Sequence, residues 1–200
     1  MRVRSCTKFL AATVLLVLIT WLCPAVLAQE EEMDPKTTTR LALGSTSGTP
    51  GTSVVVPIYL TPAEGLEIGR LKLEMNFISV NLKFDKLDAG IAAEMGNVDL
   101  STEVKNAKDE KDRDTTTITV LASFLTPNPP EKGIPAGLLA YMTLNINETA
   151  RPANITLRTN AEASELKTKQ PVKNLRTFDA KVEVVEPGTQ PLVVCFFFTH

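Results

Sequence analysis

The 200 residues are 44% hydrophobic, enough for one ordinary core, and carry 21 basic against 23 acidic residues. A net charge of −2 with no basic stripe argues against nucleic acid as a partner. Only one histidine is present and it is the last residue, so the usual general base and most transition-metal ligand sets are missing.

The chain opens with Arg2, Arg4 and Lys8, followed by an almost unbroken apolar run over residues 9–22 and then Val26-Leu27-Ala28. A basic start, a short apolar stretch and small residues at the end describe a secretory signal peptide over residues 1–28. An uncleaved anchor is the rival, since residues 9–28 approach the ~20 needed to span a bilayer. Pro24 and the acidic Glu30-Glu31-Glu32 just downstream favour cleavage, and Leu22 before Cys23 argues against lipidation. Cleavage removes three basic residues and no acidic one, taking the net charge from −2 to −5. It also removes Cys6 and Cys23, so Cys195 stands alone and no intrachain disulfide is available.

Residues 29–38 read as an acidic linker, and the domain is expected over residues 39–187. From Arg40 onward the dominant signal is alternation with a period of two, the mark of strands with one buried face. Residues 54–60 form a first clear run; Pro57 within it predicts an edge or a bulge. Leu71, Leu73, Met75 and Phe77 alternate with Lys72, Glu74 and Asn76, and a short run follows at residues 82–84. A turn or two of helix is expected over residues 88–95, capped by Asp88 and stopped by Gly96. The charged stretch over residues 97–114 reads as a solvated loop. Runs at residues 118–124, 138–146, 155–157 and 178–184 complete the strands. Glycine and proline punctuate the gaps at Gly48-Thr49-Pro50-Gly51, Pro127-Asn128-Pro129-Pro130 and Gly133-Ile134-Pro135. The expected fold is an all-β antiparallel sandwich. After Pro187-Gly188 comes a seven-residue apolar run, residues 192–198, compatible with a last strand, the truncated start of an anchor or a tail from a misread gene end.

Tests for chemistry return little. Cys195 has no second cysteine or placed histidine and reads as a buried hydrophobe. Asp109, Asp112 and Asp114 share a loop, but basic residues interleave and no glycine turn follows, so the calcium-loop pattern fails. No pair of carboxylates stands out for acid–base work. No enzyme activity and no cofactor are expected. Asn147-Glu148-Thr149 and Asn154-Ile155-Thr156 fit the N-glycosylation acceptor pattern.

Several segments resemble cohesin modules. Gly48-Thr49-Pro50-Gly51-Thr52-Ser53-Val54-Val55-Val56-Pro57-Ile58 looks like their opening turn and strand, and residues 65–74 look like the loop and strand that follow. Residues 133–144 are similar to the glycine-led late strand, and Asp179-Ala180-Lys181-Val182-Glu183-Val184 to the closing one. The resemblance covers about residues 39–186 in preserved order, and implies a jelly-roll sandwich related in fold to some carbohydrate-binding modules. It implies a secreted or cell-surface module without a membrane span, binding a dockerin-bearing protein in polysaccharide degradation or at the cell surface. Two departures stand out. The Tyr-Asp-Pro that often ends the early strand is replaced by Phe77-Ile78-Ser79-Val80. Arg70 and Lys72 stand where well-studied cohesins tend to show small polar or acidic groups, which penalises the same partner.

The candidate contact set is therefore Arg70, Lys72, Glu74 and Asn76, for which plain solvent-facing polarity is the competing account. The alternative function is direct polysaccharide binding. Sugar rings stack on aromatic faces, and with Trp21 in the signal the only candidates are Tyr59 and Tyr141; Tyr141, on the outward phase of its strand, is the candidate platform. The shortage of aromatic side chains puts protein binding ahead.

Overall fold

The structure, a computed structural model, describes residue 34, residues 36–124 and residues 131–188. The expected signal peptide, most of the linker, the Pro127–Pro130 turn and the apolar C-terminal run lie outside these residues.

Among the described residues, eleven strands and one short helix follow in order: β1 (Thr39–Leu43), β2 (Thr46–Gly48), β3 (Ser53–Thr61), β4 (Ile68–Ile78), β5 (Leu82–Ala89), α1 (Ile91–Gly96), β6 (Val98–Lys108), β7 (Asp114–Phe124), β8 (Gly137–Ile146), β9 (Ala153–Glu165), β10 (Leu175–Phe178) and β11 (Ala180–Val184). They form a five-stranded sheet ordered β10-β1-β3-β8-β5 and a six-stranded sheet ordered β2-β11-β9-β4-β7-β6. The inner phases meet in one core. Val54, Val56, Ile58 and Leu60 of β3 and Met142 and Leu144 of β8 come from one sheet. Leu71, Leu73, Met75 and Phe77 of β4 with Ile118 and Val120 of β7 come from the other.

The antiparallel expectation holds for most pairs, with two exceptions at one flank: β1 runs parallel to β10 and β2 parallel to β11. Here the chain crosses between sheets twice, from β1 to β2 and from β10 to β11. The 178–184 alternation is thus two strands in different sheets rather than one. Asp179 makes the break, its carboxylate accepting from both the N–H and the hydroxyl of Thr159 at 2.8 Å. At the other crossing the Ser45 hydroxyl accepts from Lys181 N–H at 3.0 Å. These crossings close one side of the sandwich.

Pro57 lies in an interior strand, not at an edge, with a register shift one residue beyond it, between Ile58 and Tyr59. The missing N–H is harmless there. The Pro57 carbonyl accepts from Gly44 N–H at 2.8 Å, so this residue turns its backbone toward β1, just past the end of the β1–β3 ladder. Asp88 belongs to β5 and pairs with Lys86 at 2.9 Å, so it caps no helix. The helix starts at Ile91 after Gly90 and ends at Asn97 in the left-handed region, φ 50°. Residues 97–114 contain β6, an eleven-residue strand, where a solvated loop is expected from the sequence.

Candidate functional site

β4 sits inside the six-stranded sheet, with β9 on one side and β7 on the other. Its inner phase is fixed by four buried apolar side chains, so Arg70, Lys72, Glu74 and Asn76 must point outward. The structure brings these four together along one strand. It places Tyr141 elsewhere: β8 belongs to the other sheet, and this tyrosine, 39% exposed, lies on that sheet's outer face opposite Pro57 and Asp88.

Neighbouring strands widen the β4 row into a surface. Lys72 stands opposite Glu162 on β9 and Leu121 on β7; Glu74 opposite Asn160 and Thr119; Asn76 opposite Arg158 and Thr117. Arg70 stands opposite Ser164. β6 extends the rows with Ser101, Glu103 and Lys105. None of these β9 and β6 positions was predicted from the sequence. In β9 the inward positions 159, 161 and 163 are Thr, Ala and Ala, so the alternation that would have revealed the strand fades after Leu157.

The charges on this face are partly spent on one another. Lys72 Nζ lies 2.7 Å from Glu74 Oε1, and Lys105 Nζ lies 3.2 Å from Glu103 Oε1. The hydrogen bond to Glu74, and then its charge, raise the Lys72 pKa above its ordinary value. Asn76 donates to the Thr117 hydroxyl at 2.8 Å. Arg70 and Arg158 are exposed and have no ion-pair partner among the described residues. They stand at opposite ends of the face, six positions apart along β4, roughly 20 Å at strand rise.

The arrangement is an open, polar sheet face, with a concavity of about 430 Å³ at the end where Asn76 and Arg158 stand. Among the described residues no cluster of three or more His, Cys, Asp or Glu side chains could hold a metal ion. Asp109 is instead a hairpin device. Its carboxylate accepts from Lys111 N–H, Arg113 N–H and Arg113 Nε between β6 and β7. The Arg113 side-chain hydrogen bond leads in pulling its pKa down to about 2. No described helix is long and apolar enough to cross a membrane.

A two-sheet, jelly-roll sandwich with an exposed polar face is the class the geometry defines. No family model and no curated protein matches the chain. Among solved structures it is similar to the sixth cohesin of scaffoldin B from Acetivibrio cellulolyticus, solved in complex with a Cel5 dockerin. That match has 20% identity and a TM-score of 0.59, over 74% of this chain and all of the cohesin. The OlpA cohesin of Clostridium thermocellum, solved in a type I cohesin–dockerin complex, matches at 19% identity and a TM-score of 0.59, over 74% and 99%. The seventh ScaB type I cohesin of Pseudobacteroides cellulosolvens matches at 18% and 0.56, over 80% and 99%. The chain has the cohesin fold.

Proposed function

We propose that this chain is a secreted, non-catalytic binding module that receives a dockerin-type protein partner on the outer face of β9-β4-β7-β6. The observation that carries the reading is a cohesin fold combined with an open sheet face in which β4 presents Arg70, Lys72, Glu74 and Asn76 in one outward row. Fold likeness at this identity speaks for architecture; the partner rests on the face. Of its two basic residues on β4, Lys72 is neutralised by Glu74, so Arg70 is the charge a partner meets. Arg158, a strand away, is the second. A partner offering carboxylates toward these two guanidiniums gains charge-assisted hydrogen bonds, and one offering lysines there is rejected. On this reading the module works in polysaccharide degradation or at the cell surface, reached by secretion, a context that the resemblance to cohesins supports.

The test is a pull-down from the source culture medium with the full chain as bait, the captured proteins identified by mass spectrometry. Cellulose, xylan and chitin are carried in parallel. The expected result is capture of a protein bearing a dockerin's duplicated calcium loops, lost in chelator and lost with Arg70→Glu. Retention on a polysaccharide, lost with Tyr141→Ala and with no protein captured, overturns the reading in favour of glycan binding.

A further inference from the structure

Among the described residues, three of the four sheet edges are short or interrupted. β2 has three residues, β10 has four, and β5 is broken in register between Phe84 and Lys86. The fourth, β6, runs for eleven residues, pairs with β7 along its whole length without a shift, and contains no proline. Its residues 101–108 are all exposed, on both faces of the sheet. Long regular edges of this kind pair with other strands unless something guards them.

The direction of the free backbone groups follows from two hydrogen bonds. Ser79 N–H donates to the Asp114 carbonyl at 2.9 Å, so Asp114 turns its backbone toward β4 and away from β6. At the hairpin end Asp109 N–H donates to the Arg113 carbonyl at 3.0 Å, which gives the same phase. Hydrogen-bonded and non-hydrogen-bonded pairs alternate along an antiparallel ladder. Lys108–Asp114, Asn106–Thr116, Val104–Ile118 and Thr102–Val120 are therefore the non-hydrogen-bonded pairs of β6 and β7. The N–H and C=O groups of Thr102, Val104, Asn106 and Lys108 point off the free edge.

We propose that β6 pairs with β6 of a second copy of this chain, antiparallel, about a twofold axis at Val104. The side chains fit this register and not the parallel one. Glu103 of each copy faces Lys105 of the other, so the ion pair within each strand becomes an alternating ring of four charges. Parallel pairing in register would set Glu103 against Glu103. On the inner face Val104, 41% exposed, meets its own copy, and Thr102 faces Asn106. The contact is isologous, as a twofold requires.

There is room for it. β6 overhangs the five-stranded sheet, leaving a groove of about 730 Å³ lined by Val80, Leu82, Phe84, Val104 and Thr116. Two copies joined at β6 keep their β5 strands apart, and the two grooves open toward each other, drawing Val80, now 57% exposed, toward cover. The outer faces of β9, β4, β7 and β6 stay open in a continuous twelve-stranded sheet, so the pairing leaves that face uncovered, although Glu103 and Lys105 belong both to its margin and to the seam.

Sedimentation equilibrium of the full chain over a concentration series tests the proposal, with circular dichroism to establish that each variant is folded. The expected result is a species of about twice the monomer mass. Glu103→Lys alone weakens association by at least about tenfold, and the double swap Glu103→Lys with Lys105→Glu restores it. Thr102→Pro also weakens it while leaving the β6–β7 ladder intact, because the N–H it removes points off the edge. A wild-type chain that stays monomeric near 1 mM overturns the proposal. So does association that ignores the single reversal, or one that the double swap fails to restore.

Discussion

Replacing Leu73 by alanine and, separately, its neighbour Lys72 by alanine tests the sidedness of β4, on which the candidate site depends. Leu73 is 1% exposed, with Val120 of β7 and Ala161 of β9 directly opposite on the same face. The substitution removes three carbons, about 2.4 kcal/mol of transfer free energy at ~0.8 per carbon. A strand hydrogen-bonded on both sides relaxes little into the space left, so a cavity term adds to this and the total is about 3–4 kcal/mol. Lys72 loses only a solvent-screened ion pair to Glu74, in which both side chains are 41% exposed, so its cost is small beside that of Leu73→Ala. Urea unfolding followed by circular dichroism measures both. The expected outcome is a large fall in midpoint for Leu73→Ala and a small one for Lys72→Ala, with the slope unchanged. In a melt the first corresponds to roughly 6–16 °C for a domain of this size. Equal costs for the two variants, or a larger one for Lys72→Ala, would refute the assignment of faces and with it the outward row.

Three further outcomes are expected. The Asp109 carboxyl titrates near 2 by NMR rather than near 3.8, and Arg113→Ala moves it back up. Because the folded value is depressed, its contribution to stability is present above 3.8 and is lost as pH falls through 2. In Gly90→Ala the new Cβ would collide with the Leu138 carbonyl, so α1 must shift off β8. The expected cost is about 1–3 kcal/mol, with faster amide exchange over residues 90–97. Asp179→Ala removes both hydrogen bonds to Thr159 at the β10–β11 crossing, and a loss of about 1–2 kcal/mol is expected in a thermal melt.

The parts of the fold legible in the sequence are those where one face of a strand is buried along its full length. β4 and β8 alternate cleanly because both lie inside their sheets and contribute Leu, Met, Phe or Ile at nearly every inward position. β6 gave no such signal, and the reason is physical. Beyond Leu100 it overhangs the opposite sheet, neither face is covered, and selection for apolar side chains lapses on both. Its Glu103, Lys105 and Lys108 then look like loop composition. The switch of sheets at Asp179 was hidden for a different reason: Phe178, Ala180, Val182 and Val184 keep one phase in sequence, while only long-range pairing reveals that β10 joins β1 and β11 joins β9. For the site, the β4 row was readable from phase alone. Its partners on β9 were not, since small residues under that strand leave no periodic mark.

Lys72 also shows why charge read from sequence misstates what a partner meets. Arg70 and Lys72 together look like a doubly basic strand, but a sheet places positions i and i+2 on one face, and Glu74 lies within reach of Lys72 at 2.7 Å. The pair is nearly neutral at a distance, and Glu162 lies across from it. What remains unspent is Arg70 and, from β9, Arg158. Arg70→Glu is therefore expected to cost a captured partner several tens-fold in affinity, Lys72→Ala no more than about threefold. Titration calorimetry with the captured partner separates the two. If Lys72→Ala weakens binding as much as Arg70→Glu does, the Lys72–Glu74 pair opens on binding and the face offers three cations, not two.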